Sequence, residues 1–116
     1  MDNYNSDRTI SLWEDSTRKS ITLKNRKTGE RFSFILKHSF IVGRLKPPSD
    51  MQITRDDMYI SGRHLCFENM NNMVYVKDLN SKNGTWLNGH LLSAKTRIRQ
   101  GDVLKIGRTE FDIILG

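Results

Sequence analysis

Apolar residues in this chain come in short runs, alternating or nearly continuous, and turn-forming residues end each run within a few positions. No window of a dozen residues carries the 3.6-residue apolar period of an amphipathic helix, so strands are the elements the pattern supports. Ile21-Thr22-Leu23 and Phe32-Ser33-Phe34-Ile35-Leu36 alternate on either side of the turn Lys27-Thr28-Gly29-Glu30 and read as a hairpin. Phe40-Ile41-Val42 ends in Gly43-Arg44, and Pro47-Pro48 then mark a loop before the brief strand candidate Met51-Gln52-Ile53. Leu65-Cys66-Phe67 and Val74-Tyr75-Val76 flank Asn69-Met70-Asn71-Asn72 as a second hairpin. Trp86-Leu87 and Leu91-Leu92 surround Asn88-Gly89, the strongest two-residue hairpin signal. Val103 to Ile106 and Phe111 to Leu115 supply the last strands. About ten short strands at near-regular spacing predict an all-β sandwich, in which loops gather at the two ends and function resides in one of the gatherings. Residues 1–19 are polar apart from Leu12-Trp13 and are expected to form a mobile or weakly docked arm ahead of a domain over 20–116.

With 116 residues the chain fits one domain, and its net charge of +6 calls for an anionic partner. Nucleic acid, an acidic membrane surface and a phosphorylated protein all satisfy that charge. The single cysteine, Cys66, sits inside an apolar run and reads as a small core residue. One unpaired cysteine suits a reducing compartment. No apolar run approaches the roughly 20 residues of a membrane span. Met1-Asp2-Asn3-Tyr4-Asn5 lacks the pattern of a secretory signal, so the expectation is an intracellular domain.

The segment Ile60-Ser61-Gly62-Arg63-His64 concentrates a hydroxyl, a close-approach backbone position, a guanidinium and an imidazole between a charged turn and a buried run. Such a loop suits an anion better than a metal or a nucleophilic reaction. Two other loops carry matching groups: Gly43-Arg44 before it, and Asn80-Ser81-Lys82-Asn83-Gly84 with Asn88-Gly89 after it. In this order and spacing the motifs Gly-Arg, Ser-x-x-His, Asn-Gly-Thr and Asn-Gly resemble the forkhead-associated (FHA) domain over roughly residues 20–116. The resemblance implies a two-sheet antiparallel sandwich of about eleven short strands that binds phosphothreonine peptides through loops at one end. Carried over by position, Arg44 pairs with the phosphate, Ser61 gives it a hydroxyl and a backbone N–H, and Arg63 adds a second cation. Asn83 holds the peptide backbone with Lys82 beside it, and Gly62 belongs to the same surface. Gly43, His64, Gly84 and Asn88 are expected to brace the loops. The chemistry agrees, because a phosphothreonine brings about −1.5 to −2 charge and three strong acceptors that need several fixed donors. Two positions depart from the commonest pattern. Gly62 replaces a side chain that touches the peptide in some members, and Lys82 replaces a small hydroxyl residue.

Other classes find less support. Asp56 and Asp57 are adjacent and make a poor carboxylate pair, while His38, His64 and His90 are scattered without ligand spacing, so neither an enzyme nor a metal or other cofactor is expected. Nucleic-acid binding is the main alternative, served by Lys24, Arg26, Lys27 and Arg31, yet a solvated hairpin accounts for these residues and few aromatics remain for base stacking. Self-association through a phosphorylated arm at Thr9 or Thr17 has no specific motif behind it. The predicted role is recruitment of a phosphorylated partner in signalling, by an N-terminal module of a longer protein. Family resemblance points to the nucleus rather than the cytoplasm, and to DNA-damage or cell-cycle pathways.

Overall fold

The alternation seen along the sequence becomes two stacked sheets. A computed structural model describes residues 19–116 apart from Pro48 and Arg55. The arm expected over residues 1–19 therefore lies outside the described residues except for Lys19, which opens the first strand. In chain order the strands are β1 (Lys19–Asn25), β2 (Arg31–Leu36), β3 (Ser39–Gly43), β4 (Met51–Gln52), β5 (Leu65–Met70) and β6 (Met73–Asp78). The remaining ones are β7 (Thr85–Leu87), β8 (His90–Leu91), β9 (Thr96–Arg97), β10 (Val103–Ile106) and β11 (Thr109–Leu115). No helix occurs among the described residues. One sheet has the order β2-β1-β11-β10-β7-β8 and the other β4-β3-β5-β6-β9. All pairings are antiparallel except β3 with β4, which is parallel. A parallel neighbour needs a crossover, and the loop through Pro47 supplies it.

Side-chain alternation decides which face of each strand is buried. In β1, Ile21 and Leu23 point inward while Thr22 and Lys24 alternate outward, and the register Ile21↔Leu115 and Leu23↔Ile113 aligns the apolar sets of β1 and β11. Phe67 and Phe111 are wholly buried, and burying a side chain of that size contributes roughly 1.5–3 kcal/mol. Phe34 stacks on Phe40 at 4.1 Å and tilts against Phe67 at 5.5 Å, which joins the two sheets across the core. Cys66 is buried as well, and burial pushes its thiol pKa up, as suits an inert residue.

The turns follow their residues. Asn71 and Asn72 (φ 55° and 65°) and the pair Asn88 and Gly89 (51° and 83°) adopt the left-handed conformations that tight hairpins require. Strand directions send the C-terminal ends of β1, β3, β6 and β10 and the N-terminal ends of β5, β7 and β11 to one end of the sandwich. At the opposite end the N–H of Gly116 donates to the Ser20 carbonyl at 2.8 Å, so β1 begins where β11 finishes.

Candidate functional site

Three loops meet at the shared end, and backbone hydrogen bonds lock them first. After β3, Arg44 N–H donates to the Ser61 carbonyl at 3.0 Å and Leu45 N–H to the Gly62 carbonyl at 3.2 Å. The Ser49 hydroxyl, itself buried, donates to the same Gly62 oxygen at 2.6 Å. Gly43 is required here for space. A β-carbon on it would sit 2.1 Å from that carbonyl oxygen and 2.5 Å from Ser49 Oγ. Gly84 is needed for conformation, with φ +86°.

His64 fills the centre of the cluster with no exposed surface. Its Nε2 lies 2.9 Å from the Gly84 carbonyl, which can only accept, so Nε2 carries the proton. Nδ1 is then bare and accepts the Ser61 N–H at 3.0 Å. Burial holds the imidazole pKa below its ordinary value, opposed in part by the Gly84 carbonyl and by Asp78 at 3.9 Å. The ring is therefore a neutral brace joining the loop before β5 to the loop before β7. This corrects one expectation: the Ser61 backbone N–H is committed to His64, and only the Ser61 hydroxyl faces outward. Its oxygen accepts Lys82 N–H at 3.0 Å, which leaves the hydroxyl proton for an external acceptor.

Arg44 is half-buried, with Nε donating to the Ile60 carbonyl at 3.0 Å. That bond aims the guanidinium along the loop and leaves its two terminal amino groups for a ligand. Lys82 is exposed beside Ser61, and Arg63 is exposed on the same loop as Ser61 with its charge felt by Lys77 of β6; among the described residues none of the three cations forms an ion pair with a carboxylate. Gly62 leaves room that Leu45 occupies, since its Cδ1 would lie 3.1 Å from an added β-carbon. Asn83 donates from Nδ2 to the Tyr59 carbonyl at 3.0 Å, which fixes the amide with its oxygen available.

Asp78 holds this last loop in shape. Its carboxylate accepts the Ser81 hydroxyl (2.5 Å), the Ser81 N–H (2.9 Å) and the hydroxyl of fully buried Thr85 (2.7 Å), while Ser81 Oγ accepts Gly84 N–H at 2.9 Å. Burial alone would raise the carboxyl pKa, but the bonds from Ser81 and Thr85 outweigh it and hold the group below its ordinary value. Asp57 does the same for the loop before β5. It accepts Tyr59 N–H at 3.0 Å and reaches the β10–β11 turn through Arg108 N–H at 2.7 Å and the Thr109 hydroxyl at 2.6 Å. Here too burial opposes and the hydrogen bonds from Thr109, Arg108 and Tyr59 win, so the pKa is lowered.

The structure thus brings Arg44, Ser61, Gly62, Lys82 and Asn83 to one surface braced by Gly43, His64 and Gly84, while Arg63 is exposed on the same loop as Ser61 without a hydrogen bond or ion pair to them. Asn88 stands apart from that cluster. Its side chain bonds Asp102 at 3.1 Å and Val103 N–H at 2.9 Å, so it braces the turn before β10 instead. The bracing roles of Asp78, Asp57, Tyr59 and Ser49 are not among those expected from the sequence. An Asp heading a polar loop with Ser three residues on is a readable local pattern. Two of the three partners of Asp57, Arg108 and Thr109, lie more than fifty residues away and leave no local trace. Chemically the surface offers convergent donors and uncompensated positive charge. Among the described residues no group of His, Cys, Asp and Glu could hold a metal ion.

Comparison with known proteins agrees with this geometry. Residues 40–107 match the FHA domain family model. An FHA domain-containing protein of Arabidopsis thaliana is 30% identical over 89 residues, which is 75% of this chain; the chain spans only 22% of that relative's length. Among solved structures, an FHA domain studied for its phosphothreonine-dependent interactions superposes with a TM-score of 0.70 at 27% identity, covering 82% of this chain and 95% of that one. The FHA domain of MEK1 in complex with a phosphothreonine peptide of HOP1 gives 0.66 at 25% identity, covering 83% and 96%.

Proposed function

Because the chain belongs to the FHA family, we propose that it is a phosphothreonine-peptide recognition module that recruits a phosphorylated partner in signalling. One observation carries the reading. Arg44, the Ser61 hydroxyl, Lys82 and Asn83 converge on one surface, each held by a backbone or side-chain bond that leaves donors facing outward. Arginine's fork suits phosphate oxygens, and hydrogen bonds to charged groups contribute roughly 1.5–3 kcal/mol each. Arg63 adds charge at the rim, and Asn83 has an amide oxygen with which to accept a peptide N–H. FHA domains are interaction modules, and a role in recruitment without catalysis is proposed here as well. A nuclear setting in kinase signalling, including DNA-damage or cell-cycle pathways, rests on the family resemblance and is tested by imaging the tagged full-length protein. The nucleic-acid alternative has no site-level observation behind it.

The test is fluorescence anisotropy with a library of peptides carrying a fixed phosphothreonine, set against phosphoserine, unphosphorylated threonine and a DNA duplex. Micromolar binding confined to phosphothreonine, and weakened at least about tenfold in Arg44→Ala, is the expected result. Equal binding to every anion, lost with salt and indifferent to Arg44, would replace the site with a merely basic surface.

A further inference from the structure

At the end of the sandwich away from the phosphate surface, a groove of about 280 Å³ opens between the ends of β1 and β11 on one side and β6 with the loop after β9 on the other. Buried Val74 and Ile98 line it from the core, and exposed Met73 and half-buried Leu115 add apolar surface. Two hydrogen bonds hold the loop after β9 in place. Ile98 N–H donates to the Val74 carbonyl at 2.9 Å, and Leu115 N–H donates to Gln100 Oε1 at 2.6 Å. Three cations, Lys19, Arg97 and Arg99, complete the lining, and no aspartate or glutamate belongs to it. Asp102, close by in the chain, is taken up by the Arg99 N–H at 2.8 Å and the Asn88 amide at 3.1 Å. Among the described residues none of the three cations forms an ion pair, either with a side-chain carboxylate or with the Gly116 carboxyl group. A partly apolar groove with unpaired positive charge around it fits an apolar side chain that is followed by acids.

The polypeptide ahead of β1 carries that pattern. Residues 1–18 hold four acids against two arginines in a chain whose overall charge is +6, and their one adjacent apolar pair, Leu12-Trp13, is followed at once by Glu14-Asp15. Lys19 both opens β1 and lines the groove, so this polypeptide joins the domain at the groove itself. The six residues from Trp13 to Lys19 span up to roughly 20 Å when extended, which is ample to lay Trp13 on the apolar lining. We infer that the groove is the seat of the chain's own Leu12-Trp13-Glu14-Asp15 segment, with Trp13 against Met73 and Leu115 and the two acids against Arg97 and Arg99. A tether this short holds the segment at an effective concentration of roughly millimolar, so a modest contact is enough to fill the groove. The chain ahead of Leu12 still departs from the same end of the sandwich. The groove and the phosphate surface lie at opposite ends, so this inference stands apart from the phosphothreonine reading.

The experiment uses the full 116-residue chain with Trp86→Phe, which leaves Trp13 as its single tryptophan, and measures quenching of that fluorescence by acrylamide. The expected result is quenching about threefold weaker than that of free tryptophan amide, with the protection shrinking in salt. Reversing the groove charge with Arg97→Glu and Arg99→Glu should remove the protection. Adding Glu14→Lys and Asp15→Lys to that variant should restore it, which a merely structural effect of the arginines would not do. A second measurement needs no change at Trp86: Trp13→Ala should shift the amide signals of Val74, Ile98 and Leu115 and leave those of Arg44 and Ser61 in place. If Trp86→Phe fails to fold, these shifts decide alone. Quenching equal to that of the free amide, protection that survives the charge reversal, or amide signals indifferent to Trp13→Ala overturns the inference. Protection that fades on dilution would seat the segment of a second copy in the groove and overturns it as well.

Discussion

Two half-buried carboxylates shape the ligand end of this sandwich, and they work over different distances. Asp78 gathers donors from Ser81 and Thr85, three and seven residues ahead of it, and so folds one loop upon itself. Asp57 takes one donor from Tyr59 and two from the β10–β11 turn, 51 and 52 residues away, and so ties two loops together. The first shapes the surface that holds Lys82 and Asn83. The second fixes where Tyr59 and Arg108 stand relative to each other. One carboxylate therefore serves shape within a loop, and the other serves spacing between loops.

The comparison breaks most visibly at Asp78. Asp78→Ala strips the buried Thr85 hydroxyl of its acceptor and frees Ser81. It should cost about 3 kcal/mol in urea unfolding and weaken phosphothreonine-peptide binding about tenfold or more. A variant that binds normally would show that Asn83 and Lys82 need no support from the loop. Asp57→Asn should cost less, about 1 kcal/mol, because one oxygen acceptor survives. Its effect should be confined to faster amide exchange at Arg108, with phosphothreonine-peptide binding little affected. A loss of binding as large as that of Asp78→Ala would erase the distinction drawn here.

The smallest effect comes with pH. His64 is held neutral in the fold, its pKa lowered from an ordinary 6.5, so the unfolded chain takes up that proton first as pH falls. Stability should decline as pH drops below about 6.5, by no more than one proton's slope, until the folded histidine itself titrates. Asp57 and Asp78 have lowered pKa values, so the stability they add is present above their ordinary 3.8 and is lost as pH falls through their folded values. Urea midpoints across this range should show two separate declines. Replacing His64 with Asn should remove only the upper one, and an unchanged upper decline would assign it to another group.

What the sequence reveals divides along the same line of distance. Period-two runs and the Asn-Gly pair expose β1, β2, β5 to β8 and the core residues, because those signals lie within a few positions. The Gly-Arg and Ser-x-x-His motifs likewise locate Arg44, Ser61 and His64. The two-residue strand β9 escapes, since Thr96 and Arg97 are too few to show a period. The parallel partnership of β3 and β4 escapes as well, because it depends on a crossover loop and not on either strand's residues. The commitment of Ser61 N–H to His64 depends on a ring tautomer set by Gly84, twenty residues further on. The Tyr59–Arg108 contact joins positions that nothing in their neighbourhoods connects.

The hydrogen bond from Gly116 to Ser20, at the end away from the ligand loops, also governs how such a module is carried. Chain entering at β1 and chain leaving β11 attach at a single corner, so any flanking polypeptide tethers the domain through one pivot. A captured peptide then rides at the far tip of a rigid arm whose length is that of the sandwich. Linker length, more than orientation, would decide how often that tip meets its target, since a single pivot lets the arm sweep all directions alike. Inserting the domain between two partners would also bring their attachment points together, making it a clasp as well as a reader.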